Sequence, residues 1–126
     1  MHPSDVTILA VDDSAAMRQL IEAALSDAGY RVVTAKDGQD ALAVVAKHAA
    51  QLVVTDRYMP VMDGVALIRA LRAKPEYDTV PILVLTTESS PESKAEGRAA
   101  GATGWLLKPF DPDVLVSVVN SLVLDA

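Results

Sequence analysis

The chain has 126 residues, enough for one domain built around one continuous core. With 51% hydrophobic and 22% charged residues, the composition excludes an intrinsically disordered chain. A net charge of −6 with scattered Lys and Arg excludes the basic field of a nucleic-acid binder. The lack of cysteine excludes disulfides, thiolate nucleophiles and thiolate zinc sites.

No apolar run approaches the roughly 18–20 residues that cross a bilayer. The N-terminus, MHPSDV, lacks the basic and long apolar parts of a secretory leader, so a soluble cytoplasmic protein without membrane contact is expected. His2 and His48 are far apart, neither has a ligand-like spacing around it, and His48 is expected near a helix C-terminus.

VTILAV (6–11) reads as the first strand. Met17, Leu20, Ile21, Ala24, Leu25 and Ala28 then recur at helical spacing, and Gly29 supplies the stop. RVVTA (31–35) is the second strand, and Asp37 caps a second helix running through Leu42 and Val45. QLVVT (51–55) is the third strand and ends on Asp56. Asp63 and Gly64 turn the chain into a third helix marked by Val65, Leu67, Ile68 and Leu71 and ended before Pro75. PILVLT (81–86) is the fourth strand. Ser90-Pro91-Glu92 opens the next helix with a cap, a proline at the first helical position and an acid in the first turn. Gly101 and Gly104 serve the loop before GWLLK (104–108), the fifth strand. Asp111-Pro112-Asp113 repeats the helix-opening signature before Val114, Leu115, Val118, Val119 and Leu122. This last helix is expected to run out at Asp125-Ala126, so that residues 1–126 form a single domain with no effector domain after it.

The strands are apolar almost throughout rather than alternating, which calls for cover on both faces, as in a parallel sheet. Five βα units are too few for an eight-stranded barrel. The expected class is α/β, a (βα)5 doubly wound open sheet. Ligands on such sheets bind beyond the carboxyl ends of the strands, where strand order reverses.

Strand one ends in Asp12-Asp13, strand three in Asp56, strand four in Thr86-Thr87 and strand five in Lys108-Pro109. One rim therefore collects three carboxylates, a hydroxyl and an ammonium. Taken singly, each has an ordinary explanation: Asp12 or Asp13 as a helix cap, Thr86 as a strand-end threonine, Lys108 as a solvated lysine. Together they point to chemistry. Three clustered carboxylates repel and need neutralising. An oxygen-only donor set without His or Cys selects Mg²⁺, or Mn²⁺ in its place, and Lys108 adds the remaining positive charge. A cation and a lysine beside a carboxylate suit phosphoryl transfer, with Asp56 as nucleophile and an acyl phosphate as product.

The stretches VDDSAAMR, TDRYMPVMDG, VLTTES and GATGWLLKPF resemble those of the receiver domain of two-component response regulators, most of all its single-domain chemotaxis branch. They are spread over nearly the whole chain. The resemblance implies a flavodoxin-like sheet in the order 2-1-3-4-5, the order known for chemotaxis receivers. It implies that Asp56 is the phosphoacceptor, that Asp13 binds Mg²⁺ directly and Asp12 mainly through water, and that the Tyr58 carbonyl is a further metal ligand. Lys108 is implied as a phosphoryl contact, with a cis bond to Pro109. Thr86 is implied as the switch hydroxyl, the Thr87 backbone as a second phosphoryl contact, and Trp105 as the switch aromatic. The implied partners are a histidine kinase that donates from a phosphohistidine, and an output protein on the face of helix four, strand five and helix five, the flagellar motor switch in chemotaxis. The protein is then a monomer that catalyses its own phosphoryl transfer and dephosphorylation, not a conventional enzyme.

Some positions depart from the pattern. Tyr58 stands where chemotaxis relatives usually carry asparagine, Thr87 where many receivers have a smaller residue, and Trp105 is bulkier than the common aromatic. Met17, Met59 and Met62 read as packing residues. Three other readings compete: a phosphate sink, relay intermediate or scaffold outside chemotaxis; an aspartate-nucleophile phosphatase; and a flavin module. The phosphatase reading is opposed by Tyr58 where a second acid is usual. The flavin reading is opposed by the lack of a Ser/Thr/Gly-rich phosphate loop after strand one.

Overall fold

The structure, a computed structural model, describes residues 2–88 and 90–124. Ser89, at the end of VLTTES, and the expected helix end at Asp125-Ala126 lie outside the described residues. Five strands and five helices alternate: β1 (Thr7–Val11), α1 (Ala15–Asp27), β2 (Arg31–Ala35), α2 (Gly38–Val45), β3 (Leu52–Asp56), α3 (Gly64–Arg72), β4 (Ile82–Thr86), α4 (Pro91–Ala100), β5 (Gly104–Leu107) and α5 (Pro112–Val123). The strands form one parallel sheet in the order β2-β1-β3-β4-β5. This is the doubly wound sheet that the alternation of elements predicts, in the flavodoxin-like strand order that the resemblance implies.

Side-chain alternation along the central strands divides the core into two layers. Leu9, Val11, Val53, Ile82 and Val84 face α2, α3 and α4, where Ala41, Ile68, Leu71 and Ala100 close over them. Ile8, Ala10, Leu52, Val54, Leu83 and Leu85 face Ile21 and Leu25 of α1 and Leu115 and Val119 of α5. Each fully buried Leu or Ile contributes about 1.5–3 kcal/mol against exposure, which is why the central strands are apolar on both sides. Cover is thinner at the edges: every residue of β5 and all but Ala35 of β2 keep some solvent contact.

The helices begin where their caps lie. Ser14, Asp37, Asp63, Ser90 and Asp111 each accept a backbone N–H from the first turn. The ordinary explanation of Asp12 and Asp13 as caps of α1 is thereby corrected, because Ser14 takes that place. Gly101 closes α4 at φ 116°, a left-handed conformation that suits glycine. His48 follows α2, its N–H donating to the Val44 carbonyl. Two short 3₁₀ turns, Pro3–Asp5 and Pro75–Tyr77, add to the expected elements; in each a proline opens the turn with its preset φ.

Candidate functional site

Parallel register brings the strand ends together. Val11 pairs with Thr55, so Asp12 and Asp56 leave the sheet side by side. Asp56 pairs with Leu85, which places Thr86 one step beyond, and Thr86 pairs with Leu107 immediately before Lys108. One carboxylate oxygen from each of Asp12, Asp13 and Asp56 lies within 4.8 Å of the other two. The Lys108 ammonium reaches over this group, 2.8 Å from Asp12 Oδ2 and 3.4 Å from Asp56 Oδ1. The Lys108–Pro109 peptide is cis.

The acids differ in setting. Asp12 is buried, and its Oδ1 accepts the Ser14 N–H at 2.9 Å. Asp13 is exposed and Asp56 is half-buried. Asp56 Oδ1 accepts the Arg57 N–H at 2.8 Å. Burial holds the Asp56 carboxyl above its ordinary range; Asp12 pushes the same way, while Lys108 and the Arg57 N–H pull back. The attraction of Lys108 outweighs the repulsion from Asp12, and burial keeps the net shift upward. The donor set is all oxygen, as a hard divalent cation requires.

The remaining residues of the rim fall around this cluster. The Thr86 side chain is buried, and its hydroxyl oxygen accepts the Glu88 N–H at 3.1 Å; Thr87 is exposed beside it. Tyr58 is 51% exposed, and its hydroxyl donates to Glu88 Oε2 at a long 3.4 Å. Trp105 lies half-buried on β5, with Nε1 donating to the Glu88 carbonyl at 3.3 Å. Its indole fills the space that the missing side chain of Gly97 leaves on α4: a Cβ there would come within 2.3 Å of Trp105 Cζ3. Gly97→Ala is therefore expected to push the indole outward and red-shift its emission. Overpacking should outweigh the helical gain of alanine and cost about 1 kcal/mol; an unchanged emission maximum would contradict this packing.

Three residues of the site escape the pattern of strand ends. Glu88 joins Tyr58, Thr86 and Trp105. Arg18 Nη1 donates to the Asp12 carbonyl at 2.7 Å. Arg57 is only 5% exposed despite its charge. A charged residue directly after a buried strand is a weak signal for Arg57, whereas nothing in the local sequence distinguishes Glu88 or Arg18 from surface residues.

The fold and site define an α/β domain whose doubly wound parallel sheet carries a lysine-bridged acidic cluster beyond its carboxyl edge. The chain belongs to the response regulator receiver domain family, whose model matches residues 8–120. It is 47% identical to the chemotaxis protein CheY4 of Vibrio cholerae, whose structure superposes with a TM-score of 0.91 over 94% of this chain and 98% of that one. The receiver domain of the sensor histidine kinase PA1611 of Pseudomonas aeruginosa is 29% identical, with a TM-score of 0.87 over 95% of this chain and 98% of that one; its structure carries a magnesium ion in the active-site cleft. A probable transcriptional regulator, ycf27 of Porphyridium aerugineum, is 36% identical over 116 residues, 92% of this chain and 47% of its own length. The chain spans about half the length of the curated relatives it matches. Among the described residues no helix is long and apolar enough to cross a membrane.

Proposed function

We propose that this receiver is a stand-alone cytoplasmic response regulator. It takes a phosphoryl group from a kinase phosphohistidine onto Asp56 and thereby alters its α4–β5–α5 surface, signalling in chemotaxis to the flagellar motor. The observation that carries the chemistry is the convergence of three carboxylates and Lys108 on one rim. The likeness to CheY4 over almost its whole length supports the chemotaxis role.

The Asp56 carboxylate attacks phosphorus in line. The new O–P bond of an acyl phosphate forms as the P–N bond to the kinase imidazole breaks, and the released imidazole nitrogen takes up a proton. Asp13, Asp56 and the Tyr58 carbonyl, with Asp12 acting through water, would hold Mg²⁺, which would supply neutralising charge to acids and phosphoryl oxygens alike. Lys108, already beside Asp56, contacts the same oxygens with its ammonium, and the Thr87 backbone offers an N–H. The Thr86 hydroxyl gives up its bond to the Glu88 N–H to meet the phosphoryl group, Trp105 adjusts on α4, and the output face changes. Water later attacks the acyl phosphate and resets the protein.

Incubation with Mg²⁺ and a small phosphodonor should add one phosphoryl group, located on Asp56 by mass spectrometry and absent from Asp56→Asn. Incorporation elsewhere, or none with the unsubstituted protein, would overturn the proposal. A pull-down with the beryllofluoride form then tests the output. Capture of the motor switch supports chemotaxis. Its absence favours the second reading, a receiver acting outside chemotaxis as a phosphate sink or relay intermediate; a role outside chemotaxis has its own support in the transcriptional regulators among the relatives.

The Tyr58 hydroxyl reaches Glu88 at the rim, and the proposed role of its ring is to crowd the path of the attacking water. Tyr58→Asn is expected to speed loss of the phosphoryl group at least roughly threefold, about 0.7 kcal/mol of barrier, while phosphorylation persists. Decay at the original rate, followed by radiolabel release, would place the ring outside that path.

A further inference from the structure

The side chain of Arg57 takes no part in the chemistry of the rim. Its backbone belongs to the site: the N–H donates to Asp56 Oδ1, and the carbonyl accepts the Gly64 N–H at 2.9 Å. The side chain runs the other way. The guanidinium lies under the Tyr58 ring, 4.7 Å from the centroid, and Nη2 meets Glu96 Oε1 on α4 at 2.5 Å. Nη1 is 3.6 Å from Asp63 Oδ2, too long for a hydrogen bond, and both Nε and Nη1 are buried without a hydrogen-bond partner.

A nearly buried cation with unused donors is costly unless a carboxylate balances it. The short partner here is Glu96, which belongs to a different element from the phosphoacceptor loop. Among the described residues, this is the only ion pair between the loop at 57–63 and α4. The next residue on that helix is Gly97, against which Trp105 is packed. One turn of α4 is thus held between Arg57 and the indole.

We propose that Arg57 is a positioning residue that couples Asp56 to α4. Modification of the carboxylate shifts the peptide that donates to it, and the buried guanidinium passes that shift through Glu96 to the turn on which Trp105 rests. The inference depends on the switching role given above and assigns its route. The pair acts as a strut, because moving α4 off the loop leaves the arginine only its longer contact to Asp63.

The test uses the full chain with Mg²⁺ and beryllofluoride. Fluorine NMR reads occupancy at Asp56, and hydrogen exchange reads the amides of residues 91–100. In the unsubstituted protein, modification should change α4 exchange about tenfold or more. In Glu96→Gln, and in Arg57→Met, which exchanges the cation for an apolar chain of similar length, Asp56 should still be occupied while the α4 change falls below twofold. If Glu96→Gln fails to fold because the cation is unbalanced, the double variant Arg57→Met/Glu96→Gln removes both charges and decides the question. A full α4 response in the variants overturns the role of Arg57 and leaves the switch intact. No α4 response in the unsubstituted protein overturns the switch itself.

Discussion

In a chelator at pH 7.5, Asp56→Asn should be more stable than the unsubstituted protein, although it loses the proposed phosphoacceptor. Asparagine retains an oxygen for the Arg57 N–H and removes one of three like charges whose oxygens lie within 4.8 Å. It gives up the attraction to Lys108, but Lys108 retains its shorter contact to Asp12 at 2.8 Å. Relief of desolvation, the largest of these effects, therefore wins. A gain of roughly 1 kcal/mol is expected, a melting temperature about 4 °C higher for a chain of this size.

The pH dependence follows from the direction of the Asp56 shift. Burial raises the folded-state pKa above the unfolded one, so the folded protein binds that proton more tightly and ionisation costs stability. The cost is fully present above the folded pKa and disappears as pH falls toward the ordinary carboxylate value near about 4. The advantage of Asp56→Asn should shrink over that interval. Saturating Mg²⁺ should reverse the order, because the native acid set gains more from the cation than a set with one amide. Calorimetry across pH, with and without Mg²⁺, checks both points; a variant less stable at pH 7.5 in chelator would overturn the account.

Much of this arrangement is legible in the amino-acid sequence. Continuous apolar runs ending in Asp12, Asp56, Thr86 and Lys108 reveal both the parallel sheet and its charged edge, because buried strands must be apolar on both faces and a charge can appear only where the chain leaves the core. Strand ends are less legible. β3 extends through Asp56 rather than stopping at Thr55, because the Asp56 backbone still pairs with Leu85. Contacts between elements are hidden. Arg57 meets a partner 39 residues away, and Trp105 depends on the missing side chain of Gly97, and neither pairing leaves a local pattern to read. The cap of α1 is ambiguous for a different reason: Asp12, Asp13 and Ser14 are all good capping residues, and only the cluster at the rim decides which are needed elsewhere.

Gly64→Ala should impair both folding and phosphorylation. A Cβ at this position would come within 2.3 Å of the Asp56 carbonyl oxygen, 3.1 Å of the Arg57 Cα and 3.3 Å of the Arg57 carbonyl oxygen. All three are backbone atoms, so no side chain can swing aside as the indole can at Gly97. The same turn is tied by the Gly64 N–H to the Arg57 carbonyl and contains Val61 at φ 71°, a left-handed conformation that a β-branched residue adopts only under constraint. It has little slack to absorb a displacement. Alanine favours a helix over glycine by about 1 kcal/mol at most, whereas overpacking of this kind costs about 1–3 kcal/mol and a backbone clash lies at the upper end. A net loss of about 2 kcal/mol is expected from denaturant titration. Because the clash falls on the peptide that carries Asp56, its carboxylate should also move out of line with Lys108. Misplacement of about 1 Å can cost roughly a hundredfold in rate, so phosphorylation from a small donor should slow at least about tenfold in the fraction that remains folded. Normal stability with a normal rate would mean that the loop relaxes freely and that its close turn does not position Asp56.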